Sequence, residues 1–98
     1  MNIQKMMQQA QAMQTKMQEE LAAMRLEASS GGGMVRLEMS GNKEILSIRI
    51  DPSCVDAKDV ETLQDLILAA SREASRRVEE AVAKKTSAMF GGMMPGMR

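Results

Sequence analysis

From Ile3 to about Ala23 the apolar residues fall at Ile3, Met6, Met7, Ala10, Met13, Met17 and Leu21, with Gln, Lys and Glu between them. Steps of three and four place them on one face of a helix. Gln, Met, Ala, Lys and Glu favour that state, neither Pro nor Gly interrupts the run, and Asn2 is placed to cap the first turn. The period then drops to two. Met24, Leu26 and Ala28 alternate with Arg25, Glu27 and Ser29, and Val35, Leu37 and Met39 alternate with Arg36, Glu38 and Ser40. A third alternating set, Leu46, Ile48 and Ile50, follows Gly41-Asn42-Lys43. With Ser30-Gly31-Gly32-Gly33 as the first turn, the pattern predicts three antiparallel strands in a meander. Asp51-Pro52 ends the third strand, because Pro lacks the ladder donor and biases its predecessor away from helix. A second helix follows, with Asp56 as its cap and Asp59 and Glu61 near the positive end of its dipole. Val60, Leu63, Ile67, Ala70, Ala74, Val78 and Ala81 form its apolar stripe, which runs to about Ala88.

The order is that of an α+β fold, α-β-β-β-α, in two layers: a helix, a three-stranded antiparallel meander and a second helix. Residues 1–90 form one domain, and the Gly/Met-rich stretch 91–98 is expected to be a disordered tail. Three short strands cover only part of two long helices, so the remainder of both stripes faces water in a monomer. Burying one Met or Leu side chain is worth about 1.5–3 kcal/mol, and a chain of 98 residues has little core of its own. A homodimer is therefore expected, with Met6, Met13, Met17, Leu37, Ile48, Ile50, Leu63 and Ile67 shared between core and dimer contact.

Composition narrows the chemistry. There is no His, and Cys54 is the lone cysteine, so neither a His-based acid–base centre nor a Cys/His zinc site nor an intrachain disulfide is available. Asp51, Asp56, Asp59 and Glu61 form the one acidic cluster; it lacks the glycine and regular ligand spacing of a calcium loop and reads as helix capping. Gly31-Gly32-Gly33 is not followed by Gly-Lys-Ser/Thr and so reads as a hairpin turn, not a phosphate loop. No cofactor, metal or small-molecule substrate is expected, and the chain is not expected to be an enzyme. The longest apolar run, Leu66 to Ala70, is too short to span a membrane, and nothing marks export, which points to the cytoplasm. One Phe and no Trp or Tyr nearly exclude stacking on bases.

Thirteen basic and thirteen acidic residues cancel, but their distribution does not. Residues 51–70 hold one basic and five acidic groups, and residues 71–98 six basic and three acidic. Lys5 and Lys16 stand on the first helix, and Arg72, Arg76, Arg77, Lys84 and Lys85 on the last half of the second. Two readings follow. Glu73 lies four before Arg77, Arg76 four before Glu80 and Glu80 four before Lys84, as on a solvated face laced with weak ion pairs. The same cations also suit contact with phosphates without sequence readout. The Met-rich stripe of the first helix likewise reads either as a dimer core or as an adaptable surface for another protein.

Four blocks bear on that choice. The opening 2–17, Asn-Ile-Gln-Lys-Met-Met-Gln-Gln-Ala-Gln-Ala-Met-Gln-Thr-Lys-Met, resembles the start of the YbaB/EbfC family of bacterial nucleoid-associated proteins. Gly31-Gly32-Gly33-Met34-Val35 is similar to that family's glycine-rich turn, Ile48-Arg49-Ile50-Asp51-Pro52-Ser53 to its strand-ending motif, and Asp65-Leu66-Ile67-Leu68-Ala69-Ala70 to its second-helix core. The resemblance spans nearly the whole chain. It implies a cytoplasmic, nucleoid-associated homodimer whose sheet forms the centre and whose long helices project like tweezers. Such a protein binds double-stranded DNA and changes its conformation, with roles in gene regulation, nucleoid organisation and DNA protection. Family members often carry Lys or Glu where this chain has Gln8, Gln9 and Ala12, which leaves Lys5 and Lys16 as the cations of the first helix. The candidate DNA contacts are thus Lys5, Lys16, Arg72, Arg76, Arg77, Lys84 and Lys85. The alternative is a protein-interaction dimer that uses its Met-rich helix surface and has little affinity for DNA.

Overall fold

Helix α1 (Ile3–Ala23) starts at Asn2, whose extended backbone lets its side-chain oxygen accept from the Lys5 N–H at 3.1 Å. In the computed structural model, which describes residues 2–90, α1 is followed by β1 (Leu26–Ser30), β2 (Val35–Met39), β3 (Ile45–Ile50) and α2 (Val60–Phe90). The α-β-β-β-α order is the one the periodicity predicts. The Gly/Met-rich stretch 91–98 lies outside the described residues.

β1, β2 and β3 form one antiparallel sheet in chain order. Residues directly opposite one another share a face, so Ala28, Leu37 and Ile48 lie abreast, as do Val35 and Ile50. Two boundaries differ from the sequence reading. Met24 is not a strand residue; its N–H bonds back to the Leu21 carbonyl and it forms the C-cap of α1, so β1 begins at Leu26. The register also steps between Glu38, opposite Ser47, and Met39, opposite Ile45. Leu46 is the extra residue of this bulge, and Ile45 takes the inner position that alternation assigned to Leu46.

The turn between β1 and β2 needs its glycines. Gly31, Gly32 and Gly33 have φ values of 59°, 67° and 93°, a run of left-handed residues that side chains with a Cβ would strain. Ser30 fixes the end of β1 by donating its hydroxyl to the Leu66 carbonyl of α2 at 2.6 Å.

α2 is capped by Asp59, not by Asp56. The Asp59 carboxylate accepts from the Thr62 N–H at 3.3 Å and from its hydroxyl at 2.7 Å, while Asp56 accepts from the Lys58 N–H in the preceding turn. The connecting turns 56–59 therefore delay the helix by one turn. α2 packs on β1 and β2. Ala70, Ala74 and Val78 meet Ala28, Val35, Leu37 and Met39 in the buried core, where Val35 and Leu37 are at most 1% exposed. Small Ala side chains one turn apart bring the helix close to the strands. Leu26, Leu63, Leu66, Ile67 and Val82 fringe the core, half-buried.

Beyond this core the chain is open. Every residue of β3 is exposed, with Ile45 at 47% and Ile48 at 43%, because α2 lies over the other two strands. α1 carries no buried residue; Met6 and Met13 are exposed and Met17 half-buried. The fold is accordingly elongated, 68 × 29 × 15 Å. α1 is tied down at its C-terminal end, where the Gly41 N–H donates to the Leu21 carbonyl at 2.9 Å and Lys85 Nζ approaches Glu20 Oε2 at 3.5 Å. A Cβ on Gly41 would lie 2.7 Å from the Leu21 carbonyl oxygen and 3.0 Å from its Cα. Both are backbone atoms that cannot swing away. Gly41→Ala is expected to lower stability in urea by about 1–3 kcal/mol and to speed hydrogen exchange at the Gly41 amide; unchanged exchange there would show that this close approach does not hold α1.

Candidate nucleic-acid interface

The basic residues of α2 are not equivalent. Arg76 forks onto Glu73, with Nη2 2.6 Å from Oε1 and Nε 3.2 Å from Oε2, and sends Nη1 to Glu80 Oε2 at 2.7 Å. Arg77 shares Glu73 through Nε at 3.2 Å and donates Nη1 to the Glu27 carbonyl of β1 at 2.7 Å. It thus fastens the helix to the sheet edge. Lys43 pairs with Glu79, tying the β2–β3 turn to α2, and lowers the Glu79 carboxyl below its ordinary value. Of the spacings that predict ion pairs, Glu73–Arg77 and Arg76–Glu80 form. Glu80 is taken by Arg76, and Lys84 makes no ion pair among the described residues.

The seven candidate cations therefore divide. Arg76, Arg77 and Lys85 are held by acids of the same chain. Lys5, Lys16, Arg72 and Lys84 are exposed and without an ion-pair partner among the described residues. Lys5 and Lys16 stand on the projecting length of α1, and Lys84 lies past Glu79, the last α2 residue that bonds to the sheet or its turns. Of the apolar candidates, Leu37 is buried, Leu63, Ile67 and Met17 are half-buried, and Met6, Met13, Ile48 and Ile50 are exposed in the single chain. Two further cations, Arg36 and Arg49, face each other on the outer side of the sheet. They form no run along the chain, and strand pairing alone brings them together; the hairpin register is the signal the sequence holds for them.

The acidic cluster is consumed by local structure. Asp51 accepts from the Ser53 N–H at 2.9 Å, which holds its carboxyl below the ordinary value, and Asp59 is lowered likewise by its bonds to Thr62. Among the described residues no three His, Cys, Asp or Glu come together as a metal site requires, and no helix is long and apolar enough to cross a membrane. Cys54 is half-buried beside the Pro52–Cys54 turn.

Glu73 is the most perturbed carboxyl. The hydrogen bonds from Arg76 and then Arg77 pull it from 4.5 to about 2, and Arg76 is held further above its own already high value. A carboxyl lowered on folding stabilises the folded state above its unfolded value and loses that contribution as the pH falls through the folded one. The stability supplied by this cluster is therefore intact above pH 4.5 and fades towards pH 2. A carbon-detected titration should find the Glu73 midpoint near 2; Glu73→Gln should flatten stability over that interval. A Glu73 midpoint at the ordinary value would mean that the two arginines are free in solution.

The description of the YbaB/EbfC DNA-binding family matches residues 1–93. A nucleoid-associated protein of Thermoanaerobacter pseudethanolicus is 49% identical over 98% of this chain and 90% of its own length. One from Koribacter versatilis is 46% identical over 97% and 95%, and one from Clostridium novyi 50% identical over 99% and 89%. In three dimensions the chain is similar to an uncharacterized protein of Helicobacter pylori, HP0035, with a TM-score of 0.76 at 23% identity, over 90% of this chain and 92% of that one. That likeness establishes the fold independently of the sequence matches. With a family description over nearly its whole length and relatives at about half identity, the chain belongs to the YbaB/EbfC DNA-binding family.

Proposed function

We propose that this chain is a nucleoid-associated protein of the cytoplasm that binds double-stranded DNA as a homodimer, grips the phosphate backbone and alters the path of the duplex. Its family membership carries the reading. Cations without an ion pair among the described residues support it: Lys5 and Lys16 on the projecting α1, and Arg72 and Lys84 on α2, are free to neutralise phosphates. Arg76, Arg77 and Lys85 reach DNA only by exchanging an internal acid for a phosphate. One Phe and no Trp or Tyr leave no stacking platform for unpaired bases, which favours duplex over single strand. No residue acts as a catalyst, and the roles are those of a DNA scaffold: nucleoid organisation, gene regulation and protection of the duplex.

The homodimer is supported by what the single chain leaves uncovered. β3 is an edge strand with free ladder groups and exposed Ile45, Ile48 and Ile50, and α1 exposes Ile3, Met6, Met7 and Met13. Long apolar edges of this kind attract further strands unless they are covered. A second copy covers both, which removes the edge and buries the stripe.

Fluorescence anisotropy with two unrelated duplexes should give similar affinities whose logarithm falls linearly with the logarithm of salt concentration. Changing Lys16, Arg72 and Lys84 together to Ala should weaken both duplexes equally and flatten the salt slope by about 3 for each protomer in contact, about 6 for the dimer. Absence of binding even at low salt would overturn the DNA reading. Light scattering should give twice the 10.8 kDa chain mass, and Ile48→Asp should shift it towards the monomer; a wild-type monomer at micromolar concentration would overturn the dimer.

A further inference from the structure

The face of the sheet turned away from α2 is polar, and the register sorts its charges into two rows. Ser29, Arg36 and Arg49 lie abreast across the three strands, and Glu27, Glu38 and Ser47 lie abreast in the next row. Arg36 and Arg49 are thus directly opposite on adjacent strands, with Cβ atoms about 4.5–5.5 Å apart, and like charges so placed repel. The acids of the neighbouring row, Glu27 and Glu38, stand diagonally and line the same side of the sheet without closing an ion pair to either arginine among the described residues. Glu38 approaches Arg25 at 3.9 Å, and among the described residues the Glu27 carboxylate has no ion pair and neither Arg36 nor Arg49 has one. Asp51, at the end of β3, accepts from the Ser53 N–H through Oδ1 and has no ion pair with either arginine among the described residues.

The position of Arg36 is built as well as charged. Its guanidinium lies over Gly33, where a Cβ would come within 3.4 Å of Nη2. Gly33, at φ 93°, gives the side chain room to lie along the turn. Gly33, Arg36, Arg49, Ile50, Asp51 and Pro52 surround an open depression of about 350 Å³ at this end of the sheet. Two exposed guanidinium forks at its wall, opposite each other and without an ion pair among the described residues, present the donor set of a bidentate oxyanion site.

We infer that Arg36 and Arg49 together hold one backbone phosphate of the bound DNA, a contact made by the sheet in addition to those of the helices; this rests on the DNA-binding reading above. Each guanidinium donates to one non-bridging oxygen of the phosphodiester, and the anion between them cancels the repulsion that the empty pair carries. The acidic row sets the direction. The DNA strand crosses the β-strands along Ser29, Arg36 and Arg49, because a path along the β-strands would carry the next phosphate towards Glu27 and Glu38.

The test is anisotropy of the full chain on two unrelated labelled duplexes, with Arg36→Gln/Arg49→Gln and Arg36→Lys/Arg49→Lys, each shown by circular dichroism and light scattering to keep the wild-type fold and mass. The Gln pair should bind both duplexes several-fold more weakly and lower the salt slope by about 1 for each protomer that makes the contact, the share of one phosphate, and so by about 2 for the dimer. The Lys pair should keep the slope, because the charge remains, but lose affinity with the fork. If wild type binds DNA and the Gln pair matches it in affinity and slope, the sheet contact is overturned while DNA binding by the helices stands. If wild type binds no DNA at low salt, the DNA reading fails and the inference with it. If a polyglutamate peptide binds wild type but not the Gln pair while DNA binding is unchanged, the pair serves an acidic protein segment and the phosphate assignment is overturned.

Discussion

One helix on two strands is the constraint from which the rest of this structure follows. Ala70, Ala74 and Val78 bring α2 close against Ala28, Val35, Leu37 and Met39, and this seam holds every fully buried apolar side chain among the described residues. Because α2 is centred on β1 and β2, the third strand lies outside its cover, and among the described residues no second helix packs across the sheet to compensate. α1 is spent elsewhere. It leaves the body at the Leu21–Gly41 junction and carries its stripe of Ile and Met into solvent. A core this thin supports a platform with attachments, and the attachments expose the apolar and basic surface on which the proposed activity depends.

Charge is distributed on the same plan. Some cations are structural: Arg77 reaches from α2 to the Glu27 carbonyl, Arg76 is clamped by Glu73 and Glu80, and Lys43 joins the β2–β3 turn to Glu79. On the projecting helices Lys5, Lys16 and Lys84 have no such partners, and Arg72 on the seam helix is equally free among the described residues. A net charge of zero thus conceals two populations, one consumed by folding and one left over.

The elements were legible because each carries a strong local signal. Period-3.6 spacing marked both helices, and Val35-Arg36-Leu37-Glu38-Met39 alternates without a break. What was not legible depends on pairing between segments. Leu46 looked like an inward residue until the bulge opposite Glu38 and Met39 moved Ile45 into its place. Asp56 and Asp59 are both acceptable caps by composition, and only the path of the turn between them selects Asp59. The cation cluster on α2 was visible as a run, but its partition was not, since Glu80 satisfies either Arg76 or Lys84 at the same spacing. Arg36 and Arg49, thirteen positions apart in the chain, become neighbours through the hairpin alone.

The junction at Gly41 has a mechanical consequence. Held at its C-terminal end and without a fully buried residue along its length, α1 is in the single chain a cantilever. A helix of 21 residues is about 31 Å long, so a tilt of about 10° at the joint sweeps its tip through roughly 5 Å. The reach of the arm is therefore set at its root, by the Gly41 turn and the Lys85–Glu20 ion pair, and a change there would resize the gap between arm and sheet without touching the seam that keeps the protein folded.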